Sequence, residues 1–184
     1  MSGDRYVIRA QNELHFVTFT VIDWIDVFTR KEHKFIIVDA LNYCIEHKGL
    51  EVFGWCLMSN HLHLIIRAKD GINLSDLIRD FKRHTAKAII KQIEMGVESR
   101  KEWILNRMQY RGSYLKRIEK YKFWEDSNHA IFLDPIKPDI IKQKLNYIHE
   151  NPVRAVIVDS PEEYIFSSAR DYTGSNGLAK VILI

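Results

Sequence analysis

Two groups of side chains in this sequence have types and spacings that suit chemistry. In Asn60-His61-Leu62-His63-Leu64-Ile65-Ile66 the apolar run reads as a strand, and alternate residues of a strand share a face about 6.6 Å apart. His61 and His63 can therefore converge on one cation. The same pattern also suits a solvent-facing histidine pair on a half-buried strand. In the second group Tyr147 and Asn151 stand four residues apart on a helical stretch, on the same face about 6 Å along its axis. Tyr147 lies beside the apolar stripe of that stretch, where it can be a nucleophile or a structural tyrosine at the edge of a core.

The elements that must position these groups follow from hydrophobic periodicity. Leu14 to Ile22 is rich in β-branched and aromatic residues and predicts a strand covered on both faces. Ile37, Ala40, Leu41, Cys44 and Ile45 predict a helix over 32–48, stopped by Gly49. Leu50 to Met58 and His61 to Arg67 predict an antiparallel hairpin linked by Ser59-Asn60. Asn73 is a cap for a helix whose face of Leu74, Leu77, Ile78, Phe81, Thr85, Ala88 and Ile89 opposes Arg79, Lys82, Arg83, Lys87 and Lys91. A short strand is expected near Ser113 to Arg117. A last helix from Pro138 to Glu150, with the stripe Ile141, Leu145 and Ile148, should end before Pro152. The tail from Gly174, ending Val181-Ile182-Leu183-Ile184, suits an added strand or a partner contact. This order predicts an α+β fold, an antiparallel sheet with helices on one side, in a single domain over 1–184 with its core at about 14–172 and a tail at 173–184.

Composition narrows the class. With 184 residues, 46% of them hydrophobic and 28% charged, the chain can bury a core, and wholesale disorder is excluded. No apolar run reaches the roughly 18–20 residues needed to span a bilayer, and the first residues lack the apolar stretch of a secretion signal, so the expectation is a cytoplasmic protein without a membrane partner. Cys44 and Cys56 lie in apolar segments and fit no CxxC spacing, as buried thiols do. The charge is unevenly spread: residues 67–122 carry 15 Lys and Arg against 7 Asp and Glu, the rest 12 against 17. A local excess of this kind suits a polyanionic partner, because each phosphate neutralised releases condensed counterions. It also suits a merely solvated basic surface.

Met58-Ser59-Asn60-His61-Leu62-His63-Leu64-Ile65 and Tyr147-Ile148-His149-Glu150-Asn151-Pro152-Val153-Arg154-Ala155 together resemble the single-tyrosine HUH transposases, and among them the REP-associated tyrosine transposases. The resemblance continues through Phe16 to Thr20, Leu74 to Lys87, Phe123-Trp124-Glu125, Pro161-Glu162-Glu163-Tyr164 and Ser167-Ser168-Ala169-Arg170. It implies a ferredoxin-like core that cuts and rejoins single-stranded DNA beside a folded hairpin, in the cytoplasm at the nucleoid. Carried over to this chain, it makes His61 and His63 metal ligands, Tyr147 the nucleophile, and Asn151 a third ligand or orienting group, with His129 as the other candidate for that place.

Two imidazoles and an amide oxygen leave coordination positions open for phosphate and water, which suits Mg²⁺ or Mn²⁺ acting as a Lewis acid. A tyrosine attack would displace a deoxyribose 3′-oxygen and leave a 5′-phosphotyrosyl link. Since one phosphodiester replaces another, rejoining needs no nucleotide hydrolysis, in keeping with the lack of a GxxxxGK[ST] loop. DNA contacts are expected from Arg79, Lys82, Arg83 and Arg154, and the aromatics of 103–124 are either base-stacking or core residues.

Two departures from the family pattern stand out: Val156 replaces a glycine and is ill suited to positive φ, and Phe166 replaces a tryptophan. His149, two positions from Tyr147, is expected to be an exposed polar residue facing elsewhere on the helix. Related enzymes are found as homodimers, some with the tyrosine helix exchanged, or acting alone, and both suit this chain. The rival readings are a domesticated, non-catalytic DNA-hairpin-binding protein and a metallohydrolase in which the histidine pair activates water.

Overall fold

The computed structural model describes residues 8–115 and 120–184. Strand β1 (His15–Thr20) leads through two short 3-10 turns into helix α1 (Lys31–His47), then strands β2 (Leu50–Leu57) and β3 (His61–Ala68) and helix α2 (Leu74–Met95). Helix α3 (Lys101–Ser113), the two-residue strand β4 (Ile131–Phe132), helix α4 (Pro138–Arg154) and the short helix α5 (Ala169–Tyr172) complete the chain. The sheet is ordered β2-β3-β1-β4, with each adjacent pair antiparallel. This is the α+β, ferredoxin-like arrangement expected, with α1 and α2 on one face; α4, expected on that same side, lies on the other.

Cross-strand partners fix the two faces of the sheet. Phe19 pairs with Leu62, and Phe19 meets Phe81 of α2, ring centroids 5.9 Å apart, so α2 and the α1 packed on it cover that face. Thr18 pairs with His63, and Ile65 with both Phe16 and Gly54, so these residues share the opposite face. Helix α4 lies there: a Cβ on Gly54 would stand 2.7 Å from Leu145 Cδ1 and 3.9 Å from Ile148 Cδ1. The bulge at Phe53, between the pairs of Val52 and Gly54, sets the bare Cα under the helix. Burying Leu145 and Ile148 contributes about 1.5–3 kcal/mol each and holds α4 flat on the strands.

The free edge of β2 is covered by later chain. Leu57 N donates to Phe166 O, Ser168 N to Trp55 O and Ile182 N to Val52 O, each at 2.9 Å. The tail therefore lies along β2 through at least one backbone bond, without forming a regular strand. Such cover removes a row of unpaired backbone groups that would otherwise invite another chain.

Several expectations from the sequence need correction. Ser113 ends α3, and Tyr114 and Leu115 are not strand; residues 116 and 117 lie outside the described residues. The buried stripe Ile104, Met108 and Gly112 has the four-residue period of a helix, and the fourth strand is supplied by Ile131–Phe132. Helix α4 runs past Pro152 to Arg154, because the proline removes only its own donor in the last turn while Ala155 N still reaches Asn151 O at 3.0 Å. Val156 does take positive φ, at 56°. Its N–H donates to Val153 O, and Ile157 N donates to Pro152 O, both at 2.9 Å, the paired bonds of a Schellman ending. Those bonds hold a β-branched residue where glycine fits best.

His149 is buried, not exposed, with Nε2 2.8 Å from Ser168 Oγ. The segment that caps the β2 edge also covers this side of α4. Both cysteines are buried as expected. No helix among the described residues is long and apolar enough to cross a membrane.

Candidate functional site

The histidine pair and the tyrosine come together on the α4 face of the sheet. The rings of His61 and His63 lie 4.6 Å apart and that of His63 lies 5.3 Å from Tyr147, edge to face in both cases. Phe16 stacks on His63 at 5.5 Å and meets Tyr147 at 6.1 Å, a floor that fixes both rings. Tyr147 keeps 38% of its surface exposed while its neighbours in sequence, Ile148 and His149, are buried. It is placed against the pair and still reachable from solvent.

Each imidazole is held through Nδ1. That of His63 lies 2.8 Å from Thr18 Oγ1, and that of His61 donates to Asn60 Oδ1 at 2.6 Å. Asn60 is oriented in turn, since its Nδ2 donates to Trp24 O at 3.2 Å and Asp26 Oδ1 at 3.3 Å. His63 Nε2 is buried without a hydrogen-bond partner. An orphaned ring nitrogen costs least as a bare lone pair, which assigns Nδ1–H to both rings and leaves an Nε2 lone pair on each that could accept a cation.

Burial pushes the His61 pKa down to about 4. His63 is pushed down to about 3, by burial first and then by the charges of His61 and Lys144. Both rings are therefore neutral at pH 7, the form that binds metal. Among the described residues no group of three or more His, Cys, Asp or Glu forms a metal cluster, so a cation here would rest on two imidazoles and neutral oxygens. Asn151 Nδ2 donates to Tyr147 O at 2.7 Å, which orients the amide beside the tyrosine and leaves Oδ1 as its acceptor atom. His129 sits next to Asn128, whose carbonyl accepts from Thr18 N at 2.9 Å on the edge of β1.

Cations surround the phenol. Lys144 Nζ is 5.9 Å and Arg154 Cζ 5.7 Å from the Tyr147 ring centroid, and both residues line with Lys142 a groove of about 560 Å³ into which Tyr147 opens. Lys144 was missed from the sequence although it lies three residues before Tyr147, the spacing that puts two side chains on one helical face. Arg79, Lys82 and Arg83 are on α2, across the sheet from this groove. Arg79 pairs with Asp76 and Asp80, and Arg83 with Asp80 at 2.8 Å; such exposed pairs are worth at most about 1 kcal/mol. Lys82 Nζ instead donates to Glu125 O at 2.8 Å and Asn128 Oδ1 at 2.7 Å, tying α2 to the chain that leads into β4.

Trp24, 64% exposed, was also missed. Its ring lies 6.0 Å from His61, and it and Asp23 both adopt positive φ, 55° and 52°. Two consecutive non-glycine residues in this region cost of order 1–3 kcal/mol each, a strain that structures tolerate most often at functional sites. No spacing rule marks it, because only the fold brings it to the histidines.

The fold and site define a class: a ferredoxin-like α+β protein with a tyrosine helix laid over a histidine pair on the open sheet face. A model of the family described as "Transposase IS200 like" matches residues 10–151, more than half of the chain, and the chain belongs to that family. Its class of activity is therefore transposase-type DNA processing. Among solved structures, the REP-associated tyrosine transposase bound to a REP hairpin is similar, at 16% identity and a TM-score of 0.58 over 97% of this chain and 89% of that one. A Deinococcus radiodurans chain provisionally described as a transposase aligns at 15% identity and a TM-score of 0.43, over 81% of this chain and 98% of that one. A comparison with curated proteins finds no match.

Proposed function

We propose that this protein cuts and rejoins single-stranded DNA next to a hairpin, with Tyr147 as the nucleophile, in the manner of the REP-associated branch of its family. The observation that carries the reading is the 5.3 Å approach of Tyr147 to His63 within one chain. The phenolic oxygen attacks the scissile phosphorus, the bond to the deoxyribose 3′-oxygen breaks, and the 5′-phosphate stays on the tyrosine with a free 3′-OH released. Reversal with another 3′-OH rejoins the strand.

The chain's own residues prepare this step. Lys144 and Arg154 draw a phosphate into the groove beside the phenol. Phe16 lies edge-on against the ring, and the buried Ile148 next to it anchors the helix that carries the tyrosine. The Nε2 atoms of His61 and His63, with Asn151 Oδ1, suit Mg²⁺ or Mn²⁺. That ion would supply Lewis-acid charge at the scissile phosphate. Arg79 and Arg83, exposed on α2, are assigned to the hairpin's phosphates, since weak surface pairs yield readily to a polyanion. Arg83 also lines, with Lys48, His84 and Lys87, a groove of about 650 Å³ between α1 and α2.

The test is incubation with Mn²⁺ and hairpin oligonucleotides carrying the flanks of the natural element. A denaturation-resistant protein–DNA adduct is expected, lost in Tyr147→Phe. Cleavage without an adduct, unaffected by that substitution, would establish the water-activating alternative; binding alone, indifferent to His61→Ala and Tyr147→Phe, would establish the non-catalytic one.

A further inference from the structure

Helix α3 has no place in the chemistry described so far, and its exposed face is unusual. Trp103, Arg107, Tyr110 and Tyr114 fall at intervals of four, three and four residues, which is one face of a helix. Ile104, Met108 and Gly112 take the buried side. The three aromatic residues of the stripe are among the most exposed large side chains of the molecule. Arg107 stands within the stripe and Arg111 flanks it, Arg107 paired with Asp23 and Arg111 with Asp23 and Glu125.

The stripe is physically continuous with the histidine site. Arg107 Nη2 lies 2.6 Å from Asp23 Oδ2, and Arg111 Nη1 3.3 Å from Asp23 Oδ1. Asp23 precedes Trp24, whose carbonyl accepts from the same Asn60 amide that orients His61. In the other direction the Arg107 guanidinium lies 5.5 Å from the Tyr110 ring, and Tyr110 meets Tyr114 at 5.1 Å. Aromatic rings and guanidinium groups thus run from beside His61 to the end of α3. A stripe of this composition would be a poor choice for plain solvent exposure. It matches the chemistry of unpaired nucleic acid, in which bases stack on rings with little regard to sequence while cations follow the backbone.

We propose that Trp24 and the exposed face of α3 form the track for the unpaired nucleotides flanking the cleavage point, with bases on Trp24, Tyr110 and Tyr114 and phosphates at Arg107. The proposal deepens the function above and rests on it for the location of the cleavage point. The strained backbone at Asp23 and Trp24 keeps the indole outside the core and next to His61. The base nearest the cut would stack there, which makes Trp24 a positioning residue.

The test measures binding and needs no chemistry. The wild-type chain in EDTA is titrated by anisotropy against a labelled single-stranded oligodeoxynucleotide of mixed sequence, the same strand with abasic sites, and its duplex. The bare strand is expected to bind tighter than either of the others. Trp24→Ala, Tyr110→Ala and Tyr114→Ala should each weaken it about fivefold to a hundredfold and erase the preference over the abasic strand. Trp24→Phe and Tyr114→Phe, which keep a ring, should retain it.

Wild-type affinities in the alanine variants, with circular dichroism unchanged, would overturn the proposal. Equal binding of bare, abasic and duplex DNA by the wild type would do the same. If base-dependent binding holds while no Tyr147 adduct ever forms, the track stands and the nucleophile is wrong. If adducts form but the alanine variants bind normally, the reverse is true.

Discussion

Gly54 of β2 and Leu145 of α4 meet where a side chain would otherwise begin, the leucine methyl 2.7 Å from the position of a Cβ. This contact sets the height of the tyrosine helix above the histidines. In Gly54→Ala the Leu145 methyl must give way within a contact that Ile65 and Ile148 complete at van der Waals distance. We expect a stability loss of about 1–3 kcal/mol, the usual cost of overpacking, and a larger fractional loss of adduct formation. Denaturant melts and single-turnover adduct assays on one preparation separate the two, and adduct rates equal to wild type would show that α4 height does not matter.

Thr18 faces Nδ1 of His63 across the β1–β3 pair. Thr18→Val keeps the shape and removes the hydroxyl, so the imidazole loses the bond that fixes its tautomer. A partner of this kind contributes about 10–100-fold to metal affinity, and Mn²⁺ titration by calorimetry should show a drop of that size, with Thr18→Ser close to wild type. An unchanged Mn²⁺ affinity in Thr18→Val would argue against the histidine pair as the metal site.

Acid should destabilise the metal-free protein well above the carboxylate range. His61 and His149 are held down to about 4 and His63 to about 3, all chiefly by burial. Unfolded imidazoles take up protons near pH 6.5. From about pH 6.5 down to 4 the unfolded chain therefore binds more protons, and stability falls as pH falls, by at most about 1.4 kcal/mol per unit for each ring. Urea melts at pH 7 and pH 5 should differ by about 2 kcal/mol or more. Equal midpoints would mean that the rings are not buried neutral.

Much of this architecture is legible in the sequence because its long elements are strongly periodic. The hairpin of β2 and β3, the Asn73 cap, which accepts from Asp76 N at 3.0 Å, and the buried face of α2 all follow from local pattern. Helix α3 is less legible because its buried stripe is short and its open face carries the aromatics that usually mark strands. Strand β4 has two residues, too few for alternation to register. The histidine pair and Tyr147 were found through motifs more than 80 residues apart in the chain. Thr18 and Trp24 reach the histidines only through the tertiary fold, whereas Lys144 follows from helical spacing to Tyr147. The position of His149 depends on Ser168, a partner 19 residues away that no helical pattern can foresee.

Ser168 joins three elements through one hydroxyl: it accepts from Trp55 N at 2.9 Å, reaches Trp55 O at 3.3 Å, and lies 2.8 Å from His149 Nε2. Ser168→Ala strands a buried amide and a buried imidazole together. Leaving such groups unpaired costs about 1–3 kcal/mol each, so a loss of about 2 kcal/mol or more is expected in thermal or urea unfolding. A change below about 0.5 kcal/mol, the range of ordinary surface substitutions, would mean that the hydroxyl ties nothing together.

Val156 makes the opposite prediction. It is 90% exposed, so its side chain contributes almost no packing, yet its φ of 56° is a conformation that β-branched residues avoid. Glycine at this position would keep both closing bonds of α4, Val156 N to Val153 O and Ile157 N to Pro152 O, and relieve the strain. Against that, glycine gains freedom in the unfolded chain, which offsets part of the benefit. Strain of order 1–3 kcal/mol exceeds that offset of about 0.4–1 kcal/mol, so Val156→Gly should stabilise by about 1 kcal/mol. The adduct rate should stay at its wild-type value, because Tyr147 is two turns back along the helix. A destabilised Val156→Gly protein would mean that α4 does not end in this left-handed turn, and the placement of Arg154 beside the phenol would need to be redrawn with it.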